Sequence, residues 1–222
     1  MEEDPKQAAF ISALTTEHFV LQSAASSTIS EAAARSSLYV FSLSSTLVAM
    51  GFAASTPTVF MAFVAAALPA VFLLGIFTVV RLVDTALENM QYLAGIARVR
   101  SQYRKISPEA MTYFIPESGR WPEEPMPPSQ GLGPFIALFG TTATMIAFIN
   151  NFVAGAIVTL GVVALSDRDG IPFAVGCGVA AAVVLSVVFL MYQRWRFNTI
   201  DLAMRPETKA VTTKVQEAGH DN

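Results

Sequence analysis

Charge is missing from half of this chain. Residues 36–80, 125–166 and 170–193 contain no Asp, Glu, Lys or Arg, and together they make up 111 of the 222 residues. Soluble helices and strands need a polar face, whereas uncharged apolar runs of about 18 residues or more are typical of membrane spans. The sequence therefore argues against soluble enzymes, secreted proteins and nucleic-acid-binding proteins, and it indicates an integral membrane protein.

Cysteine and histidine are equally scarce. Cys177 is the single cysteine, so no disulfide can form within the chain. The two histidines, His18 and His220, are too few for a paired-histidine haem site or a multi-histidine zinc site. The uncharged runs also lack the ionisable side chains of proton relays, ion-coupled carriers and voltage sensors. We therefore predict no enzymatic activity, no cofactor and no metal site.

Proline and glycine divide the uncharged runs into four predicted spans. A single helix over residues 36–80 would be about 68 Å long, more than twice a hydrocarbon core of about 30 Å. The run must therefore fold back, and Ala-Ser-Thr-Pro at 54–57 predicts the break, because Pro57 suits the first turn of a new helix. We place the spans at residues 37–55, 58–80, within 135–165, and 172–193.

Lys and Arg predict the orientation of these spans. Thirteen of the 14 lie outside the two short connections, which leaves only Arg168. Basic residues near span ends stay on the cytoplasmic side, so we predict a multi-pass inner-membrane protein with both termini in the cytoplasm. The predicted fold is all-α, with two transmembrane hairpins and long cytoplasmic helical extensions. Its parts are a cytoplasmic N-terminal helix (1–36), a first hairpin (37–80), a cytoplasmic helix with a Pro-rich connector (81–133), a second hairpin (134–193) and a partly disordered cytoplasmic tail (194–222).

The segments outside the spans suit contacts with other helices. Twelve of the 15 residues at 23–37 are Ala, Ser or Thr, which allows close approach by a neighbouring helix or by a second copy of the chain. Residues 81–106 carry an apolar seam at steps of four and three. Basic residues cluster at the far end of this segment, and we assign them to anionic lipid headgroups rather than to nucleic acid: Arg98, Arg100, Arg104 and Lys105.

Hydroxyls and amides are the remaining polar groups of the spans. Ser42, Ser45 and Thr46 lie on or beside one small-residue face of the first span. Thr144, Asn150 and Asn151 lie on the third span, with the two amides near its middle. Two interpretations stay open, because such groups either hydrogen bond one helix to another or line a hydrated path across the membrane.

Proline and glycine inside the spans predict local features of the helices. Pro69 and Gly75 are predicted weak points of the second span, where a kink is either structural or part of gating. Gly176 and Ala180 are four residues apart and are predicted to let the fourth span approach a neighbouring helix closely.

Two stretches carry a resemblance to known proteins. EHFVLQSAASSTISEAAARSSLYVFSLSSTLVAMGF and ENMQYLAGIARVRSQY resemble a family of uncharacterised bacterial four-span integral membrane proteins, over roughly residues 15–105. These motifs are not catalytic, so the resemblance implies no site residues. A cytosolic helix followed by a membrane hairpin is also similar in architecture to the two-span SLATT family, which implies a pore-forming role. This chain differs from that family in having a second hairpin and no attached sensor domain.

Two functions follow as hypotheses. We predict a non-enzymatic, oligomeric channel or pore, embedded in the lipid bilayer as a homo-oligomer and gated from the cytoplasmic side. The alternative is a membrane scaffold or accessory subunit that recruits a cytoplasmic protein partner through its cytoplasmic helices, chiefly residues 81–114. Nucleic acid is not an expected partner in either case.

Overall fold

The computed structural model describes residues 5–106, 140–165 and 170–218, and the regular secondary structure of these residues is entirely helical. The four helices are α1 (Pro5–Ala53), α2 (Pro57–Ile106), α3 (Thr142–Leu165) and α4 (Ile171–Ala218). Each is long and apolar enough to cross a membrane. The prediction of an all-α chain with four such helices is confirmed. The Pro-rich connector and Arg168 lie outside the described residues.

The chain reverses direction where the sequence predicts a break. α1 ends at Ala53, and the amide of Thr56 donates to the carbonyl of Ala53 at 3.0 Å in the connecting turn. α2 begins at Pro57, with the carbonyl of Thr56 accepting from the amide of Phe60 at 2.9 Å. Proline suits this first position because the amide hydrogen that it lacks would have no partner within the helix.

Three of the helices are much longer than a bilayer is thick. α1, α2 and α4 contain 49, 50 and 48 residues, or about 72–75 Å at about 1.5 Å per residue. α3 contains 24 residues. The predicted cytoplasmic helices are therefore continuous with the predicted spans, and α2 continues through Pro69 without interruption. The tail differs from the prediction of partial disorder at residues 194–222, because α4 runs to Ala218.

The most extensive contacts between helices join α1 to α2 and α3 to α4, and α2 also contacts α3. The core lies where α1, α2 and α3 meet, and it is built from aliphatic side chains around the fully buried Tyr39: Val71, Val79, Leu82, Val83, Leu87, Ala143, Ile146 and Ala147. A second cluster joins α2 to α3 through Val64, Leu68 and Val153. α3 is therefore the most enclosed of the four helices.

We call the uncharged parts of the four helices the four-helix region: residues 36–53, 57–80, 142–165 and 171–193. Its outer surface is apolar. Large hydrophobic side chains point outward from every helix, including Phe41, Phe52, Phe77, Phe152 and Phe173, each 70% exposed or more. A soluble protein rarely shows such a continuous apolar exterior, whereas a bilayer requires one. This surface and the four apolar helices support an integral membrane protein.

Candidate functional site

Asn150 is the polar centre of the junction between α1, α2 and α3. Its side chain is almost fully buried, and its carboxamide oxygen accepts a hydrogen bond from the hydroxyl of Tyr39 at 3.1 Å. Its amide nitrogen donates to the carbonyl oxygen of Phe72 at 3.2 Å. One side chain of α3 therefore joins both other helices inside an apolar core, where an unpaired amide would be strongly unfavourable.

Gly75 makes the space that this amide occupies. A Cβ atom at Gly75 would lie 2.0 Å from Oδ1 of Asn150 and 2.8 Å from its Nδ2. Every other amino acid carries a Cβ atom, so glycine alone leaves room for the contact. The position that the sequence marks as a weak point of α2 is thus the place where a side chain of α3 reaches the α2 backbone.

A second polar group links the first turn of α3 to α4. Thr144 donates through its hydroxyl to Oε1 of the fully buried Gln193 at 3.0 Å, and Nε2 of Gln193 donates to the hydroxyl oxygen of Thr141 at 3.0 Å. The hydroxyl of Thr141 also accepts from the backbone amide of Thr144 at 3.2 Å, as an N-cap residue does. Thr141, Thr144 and Gln193 therefore form one hydrogen-bonded group between α3 and α4.

Asn151 and a pair of glycines join α3 to α4 deeper in the region. Nδ2 of Asn151 donates to the hydroxyl oxygen of Ser186 at 3.0 Å. One turn further along α3, Gly155 and Gly178 bring the two backbones together. A Cβ atom at Gly178 would lie 2.5 Å from the carbonyl oxygen of Gly155 and 2.0 Å from the hydroxyl of Thr159. Small residues allow this approach, as is common between helices in membranes.

Charged side chains gather next to the uncharged part of α2. Arg81 donates through Nε and Nη2 to the two carboxylate oxygens of Glu31 at 2.8 and 3.0 Å, and through Nη1 to Glu88 at 2.9 Å. Arg35 donates to Glu31 as well, at 2.8 Å. We call these four residues the Arg81 cluster. Its two-point contact between arginine and carboxylate joins α1 to α2 at this level.

Arg196 extends this charged layer to α4 through an ion pair with Asp84, one turn beyond Arg81 on α2. The contacts between Glu31 and Arg81 and between Asp84 and Arg196 place three helices side by side at this level. The N-terminal part of α1 and the C-terminal parts of α2 and α4 therefore leave the four-helix region at the same end.

These contacts shift the proton affinities of their members. Hydrogen bonds from Arg81, and then from Arg35, lower the pKa of Glu31 from its usual 4.5 to about 2. Hydrogen bonds to Glu31 and Glu88 raise the pKa of Arg81 above its usual value, and the hydrogen bond to Asp84 does the same for the pKa of Arg196. Glu31 and Arg81 are therefore both ionised at neutral pH.

The Arg81 cluster predicts a pH-dependent stability. Since the pKa of Glu31 is lower in the folded chain, its contribution is present above about pH 4.5 and is lost as the pH falls toward 2. We expect Arg81→Met to lower the midpoint of thermal unfolding in detergent at pH 7, and the difference from wild type to narrow between pH 5 and about pH 2.5. Arg35→Met, which removes the more exposed pair, should show a smaller difference. A difference for Arg81→Met that is constant with pH would contradict the assignment.

The hydroxyls predicted on the first span are bonded within α1. Ser42 donates to the carbonyl of Leu38 and Thr46 to that of Ser42, each at 2.8 Å, and both side chains are half-buried. Ser45 is exposed on the outer surface of α1. The residues predicted on the third span, Thr144, Asn150 and Asn151, instead hydrogen bond to other helices of the same chain.

The prediction that Gly176 and Ala180 pack against a neighbouring helix is wrong within the chain. Both residues are exposed, and a Cβ atom at Gly176 would meet no atom within 4 Å. The packed face of α4 lies on Ala174, Gly178 and Ala182, all buried. These buried residues are also four apart, as predicted for Gly176 and Ala180. The series is shifted by two residues, which is about 200° around the helix axis.

The continuous helix α2 carries its basic cluster away from the uncharged run. Arg98 and Lys105 lie 17 and 24 positions beyond Arg81, or about 26 and 36 Å along the axis. Electrostatic interactions in physiological salt are screened over about 8 Å. If α2 leaves the bilayer near Arg81, Arg98 and Lys105 are therefore too far from the lipid headgroups to interact with them. Arg98 and Arg100 also have interaction partners, and the side chain of Arg104 is outside the described part. The assignment to lipid headgroups stays a prediction.

The sequence did not single out three of the functional candidates: Tyr39, Gln193 and Arg81, the long-range partner of Glu31. Tyr39 and Gln193 lie within the uncharged runs, and each carries a polar group among apolar neighbours. A signal for them was present, because buried amides and hydroxyls must find partners. The pairing of Glu31 with Arg81 spans 50 positions of sequence and has no local signal.

The side chains of the described residues form no group of three or more His, Cys, Asp or Glu residues that could hold a metal ion. Comparisons with protein-family models, with curated proteins and with solved structures find no match for this chain. The resemblance to bacterial four-span membrane proteins therefore stays an expectation. Function must be inferred from the geometry and chemistry of the chain itself.

Proposed function

We propose that the four helices cross the inner membrane as two hairpins, with both termini in the cytoplasm. Two observations support this orientation. Thirteen of 14 basic residues lie outside the short connections, and the charged contacts of Arg81 and Arg196 lie at one end of the four-helix region. The charged layer then lies at the cytoplasmic boundary, where ionised side chains can reach water and headgroups.

The long halves of α1 and α2 would then form a rod outside the bilayer, which we call the stalk: residues 5–36 of α1 and residues 81–106 of α2. The hydroxyl of Thr28 donates to the side-chain oxygen of Asn89 at 3.2 Å, and the hydroxyls of Thr15 and Tyr103 lie 3.0 Å apart. These contacts continue as far as Tyr103, about 33 Å along α2 from Arg81. Such a rod is joined rigidly to the membrane region because neither helix is interrupted.

We infer that the protein is a membrane scaffold that binds a cytoplasmic protein through the stalk. One observation carries this function: α1 exposes large apolar side chains there, with Phe19, Val20 and Ile29 each more than half exposed. α2, in contrast, exposes only Gln91, Arg98 and Lys105 among the described side chains of residues 81–106. We therefore place the proposed binding surface on α1 and not on residues 81–114, the segment that the sequence predicts.

The scaffold predicts crosslinking from α1 on the cytoplasmic side. A photoreactive amino acid in place of Phe19 or Ile29 should give a discrete protein adduct in inside-out vesicles, and the same group at Gln91 of α2 should give little. Phe19→Ser should reduce the adduct formed from position 29, whereas Phe41→Ser, exposed within the predicted span, should not. Equal adducts from Gln91, or adducts only in right-side-out vesicles, would count against the proposal.

The channel is a second candidate, and a narrower observation favours it. Ser45 is exposed beside the half-buried Ser42 and Thr46, so a ring of α1 helices in a homo-oligomer would present hydroxyls to its axis. Asn150 does not contribute to such a path, because both ends of its amide are bonded inside the chain. Ion flux from reconstituted liposomes that is lost in Ser45→Leu would favour the channel over the scaffold.

A further inference from the structure

An open groove of about 430 Å³ lies between α3 and α4 on the outer surface of the four-helix region. Its walls are aromatic on α3 and branched aliphatic on α4: Phe148, Phe152, Val175, Val179, Val183 and Val187. Its floor is shaped by Gly155 and Gly178, where the two backbones touch and no side chain fills the space. The volume and the apolar lining are those of small-molecule binding sites in proteins.

Three polar side chains line this groove, and the hydroxyl protons of two of them are bonded within their own helix. The hydroxyl of Thr159 donates to the carbonyl of Gly155 at 3.0 Å, and that of Ser186 donates to the carbonyl of Ala182 at 2.8 Å. Neither hydroxyl therefore has a proton left to offer to a ligand. Asn151 is the third polar residue of the groove, and its carboxamide oxygen is a stronger acceptor than a hydroxyl that is already bonded.

Asn151 has an acceptor that the described residues leave unused. Its side chain is 8% exposed, and Nδ2 donates to Ser186, but Oδ1 accepts no hydrogen bond from the described part of the chain. Its neighbour Asn150 shows the contrast, since both ends of that amide are bonded. A carboxamide oxygen without a donor is unfavourable in apolar surroundings, and Asn151 lines the groove.

We propose that the groove binds a membrane-soluble small molecule that is apolar over most of its surface and has one O–H or N–H group donating to Oδ1 of Asn151. Asn151 lies nine positions into α3, about 14 Å along the axis and near the middle of a hydrocarbon core of about 30 Å. The acyl chains of phospholipids carry no donor at this depth. The ligand is therefore a molecule that takes its polar group into the hydrocarbon region, such as a long-chain alcohol or phenol.

The first test compares two probes that differ only in the donor. Purified protein in nanodiscs is photolabelled with a diazirine-bearing long-chain alcohol or with its methyl ether, and the labelled residues are mapped by mass spectrometry. The alcohol should label the walls of the groove saturably, with an apparent affinity about threefold to tenfold higher than that of the ether, which is the effect of one hydrogen bond. In Asn151→Leu the alcohol should label no better than the ether.

A matched pair of tryptophan variants keeps the test valid where Asn151→Leu fails to fold. Val183 lines the groove and Val184 does not, although the two are adjacent and 56% and 60% exposed. Both face outward, so neither substitution disturbs the core. Val183→Trp should abolish saturable labelling, and Val184→Trp should leave it unchanged.

Three results would overturn the proposal. Equal affinity for the alcohol and the ether would mean that no donor is recognised, and equal loss in both tryptophan variants would mean that the label does not occupy the groove. The third is occupation by a second copy of the chain. In a Cys177→Ala background, disulfide-linked dimers of Val183→Cys would show that another protomer covers this surface.

Discussion

Replacing Gly178 with alanine is expected to separate α3 from α4 and to lower the free energy of unfolding by about 1–3 kcal/mol. The added Cβ atom would lie 2.5 Å from the carbonyl oxygen of Gly155, which is backbone and cannot turn aside. It would also lie 2.0 Å from the hydroxyl of Thr159, so two groups must move at once. The loss is measured by equilibrium unfolding in mixed micelles with increasing SDS.

Gly176→Ala is the matched control, two residues away on the same helix. Its Cβ atom would meet nothing within 4 Å, so this variant should be neutral or gain up to about 1 kcal/mol from the higher helix propensity of alanine. Equal losses for the two substitutions would mean that the close approach of α3 and α4 does not exist, or that a partner covers Gly176.

Replacing Gly75 with alanine is expected to have the second large effect. The Cβ atom would overlap the amide of Asn150 and force it away from Tyr39 and Phe72. The expected loss is about 2–4 kcal/mol, of which overpacking accounts for about 1–3 kcal/mol and the two weakened hydrogen bonds together for about 1 kcal/mol. The same unfolding assay measures it.

A double-mutant cycle separates this contact from a general effect on helix α2. Asn150→Ala removes the amide, so Gly75→Ala should cost much less in the Asn150→Ala background than in wild type. Tyr39→Phe, which removes one hydroxyl and keeps the ring, should cost about 1 kcal/mol. Strict additivity of Gly75→Ala and Asn150→Ala would show that the two residues do not touch.

The charge pattern was sufficient to predict the number of helices and the position of one turn. Three uncharged runs and the Pro57 break indicate four apolar helices, because transfer of backbone groups into lipid leaves few other solutions. α1 continues across residues 36–37 and α2 across residues 80–81, as expected for helices that extend beyond the spans, and the placement of these extensions in the cytoplasm stays a prediction. A helix that crosses a membrane boundary changes its solvent but not its backbone hydrogen bonds, and no breaker marks these positions.

The tail of α4 shows how composition can mislead. Residues 205–218 are polar and lack an apolar period, which is typical of disorder. They also contain Ala, Glu, Lys and Gln, which favour helix, and they follow a helix that is already formed. Extending an existing helix avoids the unfavourable nucleation step, so α4 continues to Ala218.

The contacts of the candidate site depend on partners that a single sequence does not name. The run AVGCGVAAAVV offers several pairs of small residues four apart, and only the position of Gly155 on α3 selects Gly178. Glu31 and Arg35 lie one turn apart, so their contact has a local signal in the sequence. Its stronger partner, Arg81, is defined by the register of two whole helices, which local patterns do not encode.

The buried amide of Asn150 also bears on the order in which the protein is assembled. Synthesis proceeds from the N-terminus, so Tyr39 and Phe72 are made, and α1 and α2 can pair across their short turn, before α3 is complete. The paired helices α1 and α2 then present the hydroxyl of Tyr39 and the carbonyl oxygen of Phe72 on a preformed surface. When α3 enters the bilayer, the gain from pairing its amide is available only on that surface, which directs the later half of the chain to its place beside the earlier one.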